Sequence, residues 1–178
     1  MQIDLYDRVP VKDNVLIIGK QGSGKTTFVK KNLAKTLEST SRLRPDVLIM
    51  TNRKGEYRNA KNVNVVTDKS GMNRAIDSMV KPRMNGSNHH PLIVVLDQLY
   101  WTEMEMREEA WYGPFMKGLY EDRGRHGVTI ITVASDSFHI HKSIVNDSSL
   151  KILCKSSRGG YYSARELSHA ETLRIFNK

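Results

Sequence analysis

The sequence predicts an α/β fold in which a mainly parallel sheet is flanked by helices. Two apolar runs, residues 46–50 and 92–96, lack the polar alternation of a half-exposed strand, which is typical of parallel strands covered on both faces. Segments with helical spacing of apolar residues, such as 27–37, lie between the runs. Strands that alternate with helices favour a parallel sheet with right-handed crossovers. We expect one domain over residues 1–178, with its core in about residues 14–154.

Each strand is predicted from an apolar or β-branched run bounded by turn residues. Residues 14–18 are apolar and run into a glycine-rich turn. Residues 128–134 are strongly β-branched, as in a strand buried within a sheet. Residues 1–13, around Pro10, are compatible with a short edge strand. In chain order, the main strands are expected at residues 14–18, 46–50, 63–67, 92–96, 128–134 and 150–154.

Helices are predicted where apolar residues recur every three or four positions. Residues 72–79 carry four apolar side chains at this spacing. Residues 101–122 begin with acidic residues and continue with an apolar set, although Gly113 and Pro114 must kink or break that helix. The expected helices are 27–37, 72–79, 101–122, 140–145 and 164–176, with loops at 38–45, 81–91 and 155–163.

A glycine-rich segment joins the first strand to the first helix. Its spacing, Gly19-x-x-x-x-Gly24-Lys25-Thr26, is the Walker A pattern of a phosphate-binding loop. The glycines allow successive N–H groups to surround an anion, Lys25 supplies positive charge for the β- and γ-phosphates, and the Thr26 hydroxyl can bind Mg²⁺. The residues expected to bind ATP are Gly19, Lys20, Gln21, Gly22, Ser23, Gly24, Lys25, Thr26 and Thr27.

The apolar strand at 92–96 ends in Asp97, which is the Walker B pattern. A carboxylate at the carboxyl end of a buried parallel strand lies where α/β sheets bind ligands, and it can hold Mg²⁺ directly or through water. The alternative is that Asp97 only caps the following helix. Because a Walker A loop precedes it at the usual distance, we favour the metal role, with Thr26 as the second protein ligand.

Hydrolysis also needs a positioned water, and here the sequence is unusual. Many ATPases carry a glutamate directly after the Walker B aspartate, whereas this chain has Gln98. Glutamine can orient a water but cannot accept its proton, so either another acid such as Glu103 or Glu105 reaches the water, or hydrolysis is slow. A deliberate replacement of glutamate by glutamine would leave the same sequence.

Hydrolysis also needs positive charge that stabilises the transition state, and the candidates for this charge are Arg123 and Arg125. An arginine that reaches the γ-phosphate of a neighbouring subunit acts only when a ring is assembled, which couples turnover to assembly. The alternative is an ordinary surface arginine before a strand. We include both with Lys25, Asp97 and Gln98 as candidate catalytic residues.

The chain carries 28 Lys and Arg against 19 Asp and Glu, a formal net charge of +9. This charge favours a polyanionic partner such as nucleic acid, although a basic surface can also serve solubility alone. Lys81 and Arg83, in the predicted loop, are candidate contacts to nucleic acid. His89 and His90 have no neighbouring cysteine and no helical spacing, so a solvated loop is preferred to a metal site.

Composition also indicates the compartment. Cys154 is the only cysteine, so no disulfide can form within the chain and a reducing, intracellular setting is expected. The first residues include an early acid and no apolar segment, so we expect no signal peptide. The apolar runs are far shorter than the roughly 20 residues of a membrane-spanning helix, so no membrane span is expected.

Several motifs together resemble the viral genome-packaging ATPases of the FtsK/HerA superfamily, over about residues 14–154. The Walker A and B patterns are shared by all P-loop NTPases, whereas an Arg-His-x-x-x-Ile motif at the start of a strand is specific to this family. The matching segments are residues 19–26, residues 47–50 followed by Tyr57, residues 92–97, and Arg125-His126-Gly127-Val128-Thr129-Ile130.

The resemblance implies a RecA-like core, a hexameric ring around double-stranded DNA, and ATP-driven movement of viral DNA into a capsid, with capsid proteins as further partners. The setting would be the host cytoplasm, with association with the virion as an alternative. By the same analogy, Arg125 is a trans-acting or structural arginine. The chain departs from the family at Gln98, where an acid is usual, and at Ser135 or Asp136, where a γ-phosphate-sensing glutamine is common.

Two other functions fit the same motifs. In a small-molecule kinase of the same loop class, Arg123 and Arg125 would be lid arginines that close on ATP. In a nucleotide-binding assembly module, Gln98 would leave ATP bound, and the bound state would organise partners. The resemblance favours the DNA-translocating ATPase over both.

Overall fold

A computed structural model describes residues 14–38, 45–53, 55–85, 90–99, 127–135, 142–157 and 161–176. Several predicted features lie outside these residues. They are the edge strand at 1–13, the helix at 101–122, Glu103, Glu105, Arg123, Arg125, His89 and Asp136.

The described strands form one seven-stranded sheet. They are β1 (Val15–Ile18), β2 (Asp46–Thr51), β3 (Asn64–Val66), β4 (Leu92–Asp97), β5 (Val128–Ala134), β6 (Leu150–Ser156) and β7 (Tyr162–Glu166). Their order across the sheet is β3-β2-β4-β5-β1-β6-β7, and every neighbouring pair is parallel except β6 and β7. The predicted mainly parallel α/β sheet is therefore confirmed.

Helices connect the strands and cover the sheet. The described helices are α1 (Lys25–Glu38), α2 (Lys69–Ala75), α3 (Lys81–Met84), α4 (Lys142–Asp147) and α5 (His169–Phe176), and a π-helical turn at Ile76–Val80 joins α2 to α3. The Asp68 carboxylate caps α2 by accepting a hydrogen bond from the Gly71 N–H at 2.8 Å. Among the described residues, no helix has the length and apolar composition needed to cross a membrane.

The sheet is buried on both faces because alternate residues of its strands enter two separate cores. In β1, Leu16 and Ile18 belong to one core, together with apolar residues of α2 and α4. Val15 and Ile17 belong to the other, together with the apolar face of α1 that carries Val29. The unbroken apolar runs in the sequence therefore reflect burial on two sides, as predicted.

The strand register brings the ends of β1, β4 and β5 to one edge of the sheet. Ile18, the last residue of β1, lies opposite Ala134 of β5. Asp97, the last residue of β4, lies opposite Val133. The loop after β1, the carboxylate that ends β4 and Ser135 after β5 are therefore neighbours, although they lie far apart in the sequence.

The predicted loop at 81–91 is wrong in its first part, because α3 occupies it. Pro82 lies in the first turn of α3, where its missing N–H is tolerated. The Arg83 side chain is 2% exposed and donates to Asp46 Oδ2 at 2.5 Å and to the His90 carbonyl at 2.9 Å. Arg83 therefore ties α3 to the start of β2, and its predicted contact with nucleic acid is wrong.

The predicted loop at 155–163 and the predicted helix start at residue 164 are also wrong. Strand β6 continues to Ser156, and β7 pairs with it in antiparallel register, with Cys154 opposite Ala164. The C-terminal helix begins only at His169. The pairing of β7 depends on its neighbour β6, because β7 itself has no buried apolar face.

Candidate active site

The loop between β1 and α1, residues 19–24, turns tightly around the ammonium of Lys25. The Lys25 Nζ donates to the carbonyl oxygens of Gly19 at 2.9 Å and Lys20 at 2.8 Å. The Ser23 N–H donates to the same Lys20 carbonyl at 3.1 Å. Lys25 is 3% exposed. The predicted Walker A segment is therefore a closed turn with a buried positive charge at its centre.

Glycine is required at two positions of this loop because other groups occupy the space of a side chain. A Cβ on Gly19 would lie 2.4 Å from the Cys154 carbonyl oxygen and 2.4 Å from Ser23 Oγ. Gly24 has a φ of +83°, which residues with a side chain rarely adopt, and its Cβ would lie 2.4 Å from the Tyr162 ring. The loop is therefore packed against both β6 and β7.

The N-terminal end of α1 is a favourable place for an anion to bind. The first N–H groups of a helix have no intrahelical carbonyl to bind, and the helix dipole adds positive potential at this end. Thr26 and Thr27 lie in this first turn. Ser23 Oγ is buried and has no hydrogen-bond partner among the described residues, so it is a further polar group that a ligand can satisfy. The exposed rim of the loop is formed by Lys20, Gln21 and Gly22.

Asp97 faces the start of α1. It is fully buried, and its Oδ2 accepts hydrogen bonds from Thr26 Oγ1 at 3.1 Å and from the Tyr57 hydroxyl at 2.7 Å. Burial raises the pKa of Asp97, while the hydrogen bonds from Tyr57 and Thr26 act in the opposite direction. Asp97 Oδ1 is buried and has no hydrogen-bond partner among the described residues. A buried carboxylate oxygen without a hydrogen-bond donor is a suitable ligand for a cation.

The donor set fits Mg²⁺. This ion prefers oxygen ligands and is commonly held by one or two protein oxygens together with phosphate oxygens. Thr26 Oγ1 and the Asp97 carboxylate are the two protein groups that would hold it. Within the described part of the chain, no group of three or more His, Cys, Asp or Glu side chains could hold a metal by itself.

Tyr57, which the sequence resemblance included without giving it a role, contacts Asp97. It lies 40 residues before Asp97 in the chain and is 2% exposed. Burial, followed by the charge of Asp97, raises the pKa of Tyr57, so its hydroxyl stays protonated and donates. The Lys30 ammonium lies 5.3 Å from the centre of its ring. Tyr57 therefore links the segment after β2 to the Asp97 carboxylate and to α1.

Gln98 lies against the same carboxylate. It is 5% exposed and has a φ of +55°, a conformation that costs a non-glycine residue roughly 1 kcal/mol or more. Its backbone N–H donates to the Val133 carbonyl at 2.9 Å, and its Oε1 accepts from Ser135 Oγ at 3.0 Å. A hydrogen bond from the Gln98 side chain also lowers the pKa of Asp97. Gln98 therefore bridges the ends of β4 and β5.

Cys154 lies beside the loop but has no catalytic environment. It is free and buried, and burial raises the pKa of its thiol to about 11, although the nearby Lys25 acts in the opposite direction. The thiol therefore stays protonated at neutral pH. Its role in the site is carried by its backbone carbonyl, which packs against Gly19.

Removing the Tyr57 hydroxyl with Tyr57→Phe should raise the Mg²⁺ concentration needed for half-maximal nucleotide binding by roughly tenfold, because partners that orient a metal ligand contribute about 10- to 100-fold to metal affinity. The measurement is a titration with Mg²⁺ at a fixed concentration of a fluorescent ATP analogue. Ser78→Ala removes an exposed hydroxyl from the π-helical turn at Ile76–Val80 and serves as the control. An unchanged Mg²⁺ dependence in Tyr57→Phe would show that the hydroxyl does not orient Asp97.

No protein-family model matches the sequence, and no curated protein matches it. Solved structures do match the fold. The DNA-packaging ATPase B204 from Sulfolobus turreted icosahedral virus has a TM-score of 0.61 at 15% identity, with 80% of this chain and 75% of that chain covered. The pCW3 conjugation coupling protein TcpA, in its monomer form with ATPγS, has a TM-score of 0.63 at 18% identity, with 86% of this chain and 50% of that chain covered.

A third similar structure is EssC, ATPases 2 and 3, from Geobacillus thermodenitrificans, with a TM-score of 0.61 at 14% identity, covering 94% of this chain and 43% of that chain. This chain thus spans half or less of the TcpA and EssC chains that it matches. These matches show that the chain has the same α/β fold as these ATPases, which agrees with the fold class that the sequence predicted.

Proposed function

We propose that this chain is an ATP-dependent motor that moves double-stranded DNA and packages a viral genome into a capsid. The observation that carries the proposal is the 3.1 Å contact between Thr26 and Asp97. It brings a hydroxyl in the first turn of α1 and a buried carboxylate at the end of β4 together beside the Walker A loop. A P-loop hydroxyl and a carboxylate at the end of a neighbouring strand are the protein groups that hold Mg²⁺ in P-loop NTPases, so this contact supports binding of ATP with Mg²⁺.

The chemistry follows from these positions. The N–H groups of residues 19–27 and the Lys25 ammonium would bind the phosphates, and the loop would orient the γ-phosphate. Bound between Thr26 and Asp97, Mg²⁺ would supply positive charge to the phosphate oxygens. Gln98 would orient the attacking water through its amide. Arg123 and Arg125 are proposed to supply further positive charge, in trans from a neighbouring subunit.

The DNA substrate is proposed on two grounds. One structure of the same fold is a DNA-packaging ATPase from a virus. The formal net charge of this chain is +9, which attracts a polyanion. A homo-oligomeric ring, a hexamer by resemblance, would enclose the DNA, and capsid proteins would be further partners.

The test is the ATPase rate with and without double-stranded DNA, measured together with the mass of the assembled particle. A motor should hydrolyse ATP faster with DNA and should assemble as a multimer. A small-molecule kinase would instead transfer phosphate to a nucleoside or metabolite, and its rate would not respond to DNA. This second result would replace the proposal.

A nucleotide-binding assembly module is the second candidate, and Gln98 favours it. The amide that follows Asp97 cannot accept a proton, and it is held by Ser135 at 3.0 Å. Such a module would bind ATP tightly with negligible turnover, and DNA would change neither property. Turnover that rises on addition of DNA would exclude this candidate.

If DNA binds through the positive charge of this chain, its affinity should fall steeply with salt. Each phosphate contact contributes a slope of about −0.9 in a plot of log K against log salt, so about six contacts would reduce affinity roughly 1,000-fold between 50 and 200 mM salt. Fluorescence anisotropy of a labelled duplex measures this slope. ATP-analogue binding at the same salt concentrations is the control. A flat response would argue against a nucleic-acid partner.

A further inference from the structure

A cleft of about 740 Å³ opens directly beside the phosphate-binding loop, between α1 and the hairpin formed by β6 and β7. The cleft shares Ser23, Gly24 and Thr27 with the loop and the first turn of α1. A ligand whose phosphates lie in the loop therefore has a continuous path into this cleft. The cleft is large enough for a nucleoside.

Tyr162 forms the wall of the cleft that touches the loop. Its ring occupies the space that a Cβ on Gly24 would need, since Cδ1 would lie 2.4 Å and Cγ 2.6 Å from that atom. Even so, the side chain is 58% exposed, and that of its neighbour Tyr161 is 79% exposed. Both tyrosines line the cleft, with Phe28 of α1 as a further aromatic lining residue. Large aromatic surface left open at a cleft is available for a flat ligand.

The charged residues that line the cleft are all positive. Lys31, Lys35, Lys155 and Arg165 line it, and its described lining includes no acidic residue. Arg165 Nη1 is paired with Glu171 Oε1 at 2.8 Å outside the cleft. Aromatic side chains set among positive charges suit a ligand that combines an aromatic ring with phosphate groups.

We propose that this cleft, with Tyr162 as its stacking wall, binds the ribose and base of the nucleotide, an inference that rests on the proposed binding of its phosphates by residues 19–27. An aromatic wall recognises the π face that all bases share. Tyr162 therefore contributes affinity for the nucleoside and adds nothing to the binding of phosphate alone. The hairpin that the sequence did not predict thus completes the nucleotide site.

The experiment compares two ligands that share the phosphates and differ in the nucleoside. Calorimetry measures the binding of a non-hydrolysable ATP analogue and of inorganic tripolyphosphate, both with Mg²⁺, to the full chain and to two variants. Tyr162→Ala should weaken binding of the ATP analogue roughly 5- to 150-fold, the effect of losing one base–aromatic stacking contact. It should leave tripolyphosphate binding unchanged. Tyr162→Phe keeps the ring and should stay within about twofold of the natural chain for both ligands.

Three results would overturn the inference, and they are distinct. If Tyr162→Ala weakens both ligands equally, Tyr162 only supports the loop through Gly24. If it weakens neither, the nucleoside lies elsewhere. If the natural chain binds neither ligand, the phosphate site itself fails, and the nucleoside cleft fails with it. Tripolyphosphate binding by the natural chain therefore separates a failure of the cleft from a failure of the proposed function.

Discussion

Replacing Lys25 with alanine should reduce ATP hydrolysis roughly 100- to 1,000-fold, the loss seen when one preorganised donor to a transition-state charge is removed. The reason is the position of its ammonium, which is buried at the centre of the loop and bound to the carbonyls of Gly19 and Lys20. No other lysine on α1 is buried. The measurements are the steady-state rate of phosphate release and the affinity for a fluorescent ATP analogue.

Two controls make the Lys25→Ala result specific. Lys61→Ala removes an exposed lysine away from the loop and should leave hydrolysis unchanged. Lys25→Met keeps most of the side-chain length and loses only the charge, so it should be as inactive as Lys25→Ala if the ammonium matters and the packing does not. Full ATPase activity in Lys25→Ala would remove residues 19–27 as the phosphate site.

The parts of this fold that the sequence predicts are those with a local cause. The Walker A spacing is contained in eight residues, and Gly19 and Gly24 each have a steric reason, because a side chain there would meet Cys154, Ser23 or Tyr162. The central strands are recognisable because burial on both faces leaves no polar position in residues 47–50 or 92–96. The helix α1 extends one or two residues beyond the predicted bounds at each end, which is the usual uncertainty of a helix terminus.

The parts that the sequence does not predict depend on distant partners. Strand β7 has exposed or half-exposed residues throughout, so it lacks the apolar alternation of a strand and is fixed by its pairing with β6. Helix α3 contains Pro82, which reads as a loop signal unless it falls in a first helical turn. Tyr57 and Asp97 lie 40 residues apart in the sequence, so no local sequence pattern predicts their contact.

Gln98 shows the same limit within the site. The sequence identifies its unusual chemistry, because glutamine stands where many ATPases have an acid. Its left-handed backbone and its contact with Ser135 depend on β5, which lies 30 residues or more further along the chain. The sequence therefore shows which chemical group residue 98 carries. It does not show where that group lies or which residues it contacts.

Restoring an acid with Gln98→Glu should accelerate ATP hydrolysis at least about tenfold, because a well-placed general base contributes about 100- to 10,000-fold where it operates fully. The two side chains have the same length, and the introduced carboxylate can still accept the hydrogen bond that Ser135 Oγ now donates to Oε1. It would stand next to the buried Asp97 carboxylate, and this repulsion should lower the melting temperature in the absence of Mg²⁺ and nucleotide.

Steady-state phosphate release is measured for the natural chain, Gln98→Glu and Gln98→Met. The methionine is similar in length and offers no proton acceptor, so its rate should not exceed that of the natural chain. A gain in Gln98→Glu alone would place residue 98 at the attacking water and would show that the missing base limits turnover in the natural chain. Equal rates in all three proteins would mean that residue 98 only bridges β4 and β5, and that another group positions the water.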